Sequence, residues 1–188
     1  KIDFSYASKS EHNLAQRLII KTIEALTGKK KLEDLYKNYS LNPQNPNTFW
    51  TDILDHMNIK LVNKSYRKLN IPKEGSLLII ANHPFGIIDG LILCSLVSKV
   101  RGDFKIMTHE TLQFLPQLKR FILPVDFNGQ TKQSKLLNIQ TAKNAKKYLV
   151  NKGVIIIFPS GGVSTASSLK SDAIDDDWKL FPAKLIHQ

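Results

Sequence analysis

The sequence predicts an α/β fold: a mixed, largely parallel central sheet flanked by helices, preceded by an N-terminal helical layer. Three observations carry this. Residues 77–81 (LLIIA) and 154–158 (VIIIF) are short apolar runs without a charge, the pattern of strands buried on both faces. Two more strand candidates, 104–108 and 121–127, alternate with helical stretches, as in a parallel sheet. Both apolar runs end in Pro and Gly mixed with small polar residues, which places polar groups at strand tips.

The chain of 188 residues is long enough for one domain with a real core, and its 42% hydrophobic content is that of a soluble globular protein. Its net charge is +11, from 27 Lys and Arg against 16 Asp and Glu, which favours an anionic lipid, nucleic acid or acidic protein as partner. Arginines are few and aromatics do not interleave with the basic runs, so no nucleic-acid partner is expected. The single cysteine, Cys94, excludes an internal disulfide, suits a reducing compartment and falls in an apolar helix, where it reads as core. No stretch approaches the roughly 20 apolar residues of a membrane-spanning helix. Lys1 is not a natural start, so residues before it are expected.

Residues 14–26 place Leu14, Leu18, Ile19, Ile23 and Leu26 on one helical face, and Gly28 ends that helix. A second, shorter helix is expected over 32–39, then an Asn- and Pro-rich loop over 40–48. Asn47 or Thr48 would cap a third helix whose Phe49, Trp50, Ile53, Leu54 and Met57 share a face. Residues 1–57 thus form the helical layer and 58–188 the α/β domain. Packing is the plain duty of that layer; a cap over a site for a long apolar chain is the functional alternative. Weak alternation over 59–66 predicts an edge strand, and 68–75 a turn-like link.

The central strand over 77–81 leads into Asn82-His83-Pro84-Phe85-Gly86, and an apolar helix over 91–100 follows Asp89-Gly90. The Pro/Gly turn lets the chain fold back so that His83 and Asp89 can meet. An imidazole whose one nitrogen is fixed by a carboxylate is a steered general base. The plain alternative is that Asp89 caps the helix while His83 bonds a loop carbonyl. Asn82, Pro84 and Gly86 at a strand-to-helix junction favour a site, because ligands of open α/β sheets bind at strand tips.

A strand at 104–108 precedes His109-Glu110, a short helix at 111–119 and a strand at 121–127. The most regular helix spans 131–150. Leu137, Ala142, Ala145, Tyr148 and Leu149 cluster on one side of it, and Lys132, Lys135, Lys143, Lys146 and Lys147 on the other. No acidic residue occurs between Asp126 and Asp172, and Leu136 and Ile139 fall among the lysines. The plain reading is a solvated face. The functional reading is a surface for anionic lipid or an acidic carrier, with Lys135, Leu136, Ile139, Lys143 and Lys147 as the docking residues. Gly153 ends this helix. The next strand closes in Pro159-Ser160-Gly161-Gly162-Val163-Ser164, where Gly161 and Gly162 can turn backbone N–H groups toward an anion or oxyanion. An acidic loop carrying Asp172, Asp175 to Asp177 and Trp178 leads to a final helix over 180–188.

With NHPFGIIDG at 82–90 and FPSGGVS at 158–164 both in view, the sequence resembles the glycerolipid and lysophospholipid acyltransferase superfamily. Its signatures are Asn-His, a short spacer and Asp, and later Phe-Pro-Glu-Gly with a following Ser. The spacing of the two motifs and FILPVD at 121–126 also match, and the resemblance runs from about residue 58 to the end. Three departures stand out. Five residues separate His83 from Asp89 where four are usual, Ser160 replaces the Glu, and Phe127 follows Asp126 where phosphate-handling members have Arg. Arg and Glu serve a glycerol-phosphate acceptor in those members, so another acceptor is expected. The NHPFG-x-x-DG and FPSG-x-xS forms, with Asp-x-x-Trp at 175–178, are more similar to the hemolysin-like branch, which includes enzymes acylating lyso-ornithine lipid. The family continues past this point with a strand and an Asn-Ser motif, so a longer chain is expected.

The resemblance implies direct acyl transfer from an acyl-CoA or acyl carrier protein thioester to a lipid hydroxyl, at the cytoplasmic side of a membrane. His83 would be the general base and Asp89 its orienting partner. Asn82, Pro84, Phe85, Gly86, Phe127, Ser160, Gly161, Gly162 and Ser164 would line the substrate site. No metal and no resident cofactor are expected. Two other classes remain open. One is a serine hydrolase or thioesterase with Ser160 as nucleophile, although Phe158 stands where a nucleophile elbow has its first Gly. The other is a non-catalytic binder of anionic lipid, which would not require the His83–Asp89 pair.

Overall fold

The computed structural model describes residues 48–62, 70–110, 112, 118–127, 130–168 and 171–187. The chain divides into two compact units, Lys1–Ile59 and Lys60–Gln188. In the first, helix α1 spans Phe49–His56 and buries Phe49, Trp50, Ile53 and Leu54, the face that the spacing predicts. Phe49 and Trp50 meet edge to face at 5.1 Å. Thr48 does not cap it as expected. Its own backbone is helical, and its hydroxyl donates to the Asp52 carboxylate at 2.8 Å instead of receiving a backbone N–H. The helices expected over 14–26 and 32–39 lie outside the described residues.

The second unit contains strand β1 (Leu77–Ile80), helix α2 (Ile87–Ser98), strand β2 (Phe104–His109), a 3-10 turn (Lys119–Phe121) and strand β3 (Ile122–Val125). Helix α3 (Lys132–Val150), strand β4 (Val154–Ile157) and helix α4 (Phe181–Ile186) follow. The sheet order is β1-β4-β2-β3 and every neighbouring pair is parallel. This is the α/β architecture expected. Residues 59–62 form no strand, and the rest of the expected 59–66 strand lies outside the described residues, as does most of the expected 111–119 helix.

β4, inserted between β1 and β2, has all four residues buried. β1 differs from the expectation. Among the described residues it pairs on one side only, and Leu77, Leu78 and Ile79 are half-buried and Ile80 is exposed. Its apolar run was legible; its edge position was not. Side-chain alternation splits the core in two. Met107, Leu123, Ile155 and Ile157 meet Ala145 and Leu149 of α3 and Leu185 of α4 on one face. On the other, Phe104 stacks on Phe121 at 4.8 Å, and α2 packs against β2. Cys94 of α2 is fully buried, and burial pushes its thiol far above the ordinary range, as suits a core residue.

Arg101 ties the amino ends of the strands together. It is 6% exposed. Its guanidinium donates to both Asp103 oxygens at 2.8 and 2.5 Å, to Gly75 O at 2.7 Å and to Lys152 O at 2.6 Å. Those partners lie one or two residues before β2, β1 and β4. Hydrogen bonding from Arg101 holds the Asp103 carboxyl below its ordinary pKa.

Arg101→Ala leaves two carbonyls and a carboxylate without their donor. It should lower the unfolding free energy by about 3 kcal/mol, read from the urea midpoint. A loss under about 1 kcal/mol would show that water replaces the guanidinium without penalty.

Candidate active site

Because the strands are parallel, their carboxyl ends share one edge of the sheet, and the loops leaving them converge there. After β1 the chain passes through Asn82, His83, Pro84 and Phe85 to Gly86, which has φ 61° and ψ −124°. A Cβ there would be strained by the positive φ, and would lie 3.4 Å from the Val163 methyl of the loop after β4. The turn brings the first turn of α2 back over the strand tip. His83 Nδ1 lies 3.1 Å from Asp89 Oδ2, and the same oxygen accepts the Phe85 N–H at 2.8 Å. Asp89 therefore serves both the histidine and the turn. Its side chain is 12% exposed and that of His83 is 17% exposed, so the pair is shielded yet reachable.

Three further contacts hold His83 from the chain after β4. Its ring stacks on Phe158 at 3.9 Å, with the planes 18° apart. Its carbonyl accepts the Ser164 N–H at 2.9 Å, while its own N–H donates to Asp175 Oδ1 at 3.0 Å. Asp175 also accepts the Ser164 hydroxyl on Oδ1 and the Trp178 indole N–H on Oδ2, the latter at 2.8 Å. A bridge between Thr165 and Ile174 closes the base of this strap. Burial works to raise the Asp175 pKa. The bonds from Ser164, His83 and Trp178, with the nearby His83 charge, outweigh it and hold the carboxyl below the usual range.

Ser160 is 4% exposed and its hydroxyl donates to Gly162 O at 2.8 Å. Among the described residues no hydrogen bond joins Ser160 to His83. Gly161 has φ 76°, and its N–H is already bonded to Phe158 O at 3.1 Å, which withdraws it from any oxyanion. A Cβ on Gly161 would lie 2.8 Å from Lys179 Nζ and 3.9 Å from the Phe127 ring. Half-exposed Phe127 stands at the tip of β3, its ring 5.9 Å from that of His109.

The predicted residues therefore form two neighbouring groups. His83, Asp89, Phe85, Gly86 and Ser164 meet around the histidine. Ser160, Gly161, Gly162 and Phe127 meet at the tips of β4 and β3. Asn82 is exposed and Pro84 is half-buried. Lys135, Lys143 and Lys147 are exposed on α3, with Leu136 and Ile139 exposed among them, away from both groups along the chain. Phe158 and Lys179 escaped sequence reasoning as site residues. Asp175 and Trp178 entered it only as a spacing, which the hydrogen bond between them now explains. Among the described residues no three His, Cys, Asp or Glu side chains could hold a metal ion, and no helix is long and apolar enough to cross a membrane.

The family model described as Acyltransferase matches residues 63–174, more than half of the chain, and spans both groups. No curated protein and no solved structure matches the chain significantly.

Asp175→Ala removes the acceptor of three donors. Amide hydrogen exchange at His83 should accelerate on the order of tenfold. Because the folded-state pKa is lowered, the clamp contributes fully above about pH 4 and weakens as pH falls through the lowered value. The wild-type exchange rate, corrected for intrinsic chemistry, should rise over that acidic interval and the variant's should not. Equal protection in both proteins would show that Asp175 does not hold His83.

Proposed function

The chain belongs to the acyltransferase family, and from that premise we propose that it transfers a fatty acyl group from an acyl thioester to a hydroxyl of a lyso-lipid or related lipid precursor. The observation that carries this reading is the His83–Asp89 pair, with Nδ1 and Oδ2 at 3.1 Å and the ring stacked on Phe158. With Nδ1 turned to Asp89, Nε2 is the nitrogen that faces substrate. It accepts the proton of the acceptor hydroxyl as the oxygen bonds to the acyl carbon. Asp89 stabilises the imidazolium. The tetrahedral oxyanion collapses with cleavage of the C–S bond, and the leaving thiolate takes the proton from Nε2. With the Gly161 N–H engaged, we assign the oxyanion to the N–H of Gly162 and to the turn around Gly86. A thioester is already activated, so general-base help of about 10²–10⁴-fold is sufficient beside positioning.

Phe127 and the buried, internally bonded Ser160 stand in the places of a charged pair, which supports an acceptor other than glycerol-3-phosphate or its monoacyl form. The hemolysin-like, lyso-ornithine branch is the one we propose. The donor is an acyl-CoA or acyl carrier protein thioester. We also propose peripheral docking on the anionic, cytoplasmic face of a membrane through the α3 lysine face, where Leu136 is 57% and Ile139 is 53% exposed.

His83→Ala should lower acyl transfer by at least about 10²-fold with the thermal midpoint retained, and Asp89→Asn should cost less. Ser160→Ala should reduce activity only moderately. Full activity in His83→Ala, or an acyl-Ser160 adduct found by mass spectrometry, would replace this mechanism, the adduct in favour of a serine hydrolase.

Each lysine near an anionic surface contributes on the order of 1 kcal/mol. Replacing Lys135, Lys143 and Lys147 by Glu should therefore weaken binding to anionic vesicles steeply at low salt and little to neutral ones. Sedimentation with vesicles of both kinds decides it, and unchanged binding would leave this face merely solvated.

A further inference from the structure

We propose that Lys179 forms an oxyanion subsite that takes a singly charged carboxylate or phosphodiester of the lipid acceptor. This rests on the acyltransferase reading above and narrows its acceptor. Lys179 is fixed at its main chain, where its N–H donates to Pro159 O at 3.1 Å. The residue before it, Trp178, is tied to Asp175, and Asp175 to the main chain of His83. One strap therefore places both the ammonium and the histidine.

The Lys179 side chain is exposed, and its tip lies over the Gly161 turn. Gly161 has φ 76°, and an added Cβ would lie 2.8 Å from Nζ and 3.6 Å from Cε. A Phe127 ring carbon is 3.9 Å from the same point, so the ammonium and that ring both border the Gly161 turn. Among the described residues it has no carboxylate within ion-pair distance. The Asp175 carboxylate is already taken by three donors. Ser160, at the base of the same turn, spends its hydroxyl on Gly162 O. The result is a solvent-facing cation that borders the same turn as the Phe127 ring, on the sheet edge where the acceptor must approach His83. A lysine is a point charge that binds carboxylate and phosphate oxygens without a fixed fork. One ammonium balances one negative charge, which fits a carboxylate or phosphodiester and leaves a phosphate monoester half-neutralised.

The test measures calorimetric binding and acyl-transfer kinetics with three short-chain acceptors below their micelle concentrations. They are lysophosphatidylglycerol, a lyso-lipid with a free carboxylate, and neutral monoacylglycerol. Lys179→Gln should lower the ratio of affinity for either anionic acceptor to that for monoacylglycerol about tenfold. The kcat/KM ratio should fall in parallel, through KM. Lys179→Arg should keep both ratios within about threefold. Ratios unmoved by Lys179→Gln overturn the proposal. So does a loss confined to acyl-CoA but absent with the phosphate-free acyl-N-acetylcysteamine thioester, which would give the subsite to the donor. If Lys179-dependent binding is found without any acyl transfer, the activity reading fails and the subsite stands. Transfer that ignores Lys179 is the reverse.

Discussion

Everything at the candidate site depends on β4 lying between β1 and β2 in a parallel register, Leu77 beside Val154 and Phe104 beside Val154. That insertion makes the loop after β4 the neighbour of the loop after β1, although 70 or more residues separate them in sequence. It also sends all four strand tips to the same edge. Without it, Phe158 would not reach His83, Val163 would not approach Gly86, and Asp175 would have no histidine amide to accept.

The two ends of the sheet are built for different duties. At the amino end, Arg101 satisfies carbonyls and a carboxylate that precede three strands, with its own donors consumed. That end is closed chemistry, a buried charge compensated by its neighbours. At the carboxyl end, polar groups are held but not exhausted. His83 is fixed at its N–H, its carbonyl, one ring nitrogen and one ring face, which leaves its second ring nitrogen to a ligand. The fixing side chains come from three places in the chain, so the ring's orientation is a tertiary property.

The loop after β4 carries much of this load through unlike means. Phe158 supplies a ring, Ser164 a main-chain donor, and Asp175 a carboxylate that gathers three donors at once. Ser160 is buried and bonded within its own turn, a structural use of a residue that stands where a nucleophile would be sought. Gly161 serves through its backbone: its left-handed turn, with φ 76°, lies beneath the tip of the exposed Lys179 side chain.

The α/β class, the strands β1 to β4 within one or two residues at each end, and the long helix α3 were all legible in the amino-acid pattern. Uncharged apolar runs and a 3.6-residue period report burial directly, and burial is what those elements are made of. The pattern also placed His83 and Asp89 at one junction, because a contact across six residues and a Pro/Gly turn is local. What it did not contain is which strand lies beside which. An apolar run reads the same at an edge as in the centre, so β1 looked fully buried and is not. The hold of Asp175 on His83 spans 92 residues, and the approach of Lys179 to Gly161 depends on a left-handed turn and on the path of the strap. Such contacts leave no period in the sequence. They exist only once parallel pairing has brought the strand tips together.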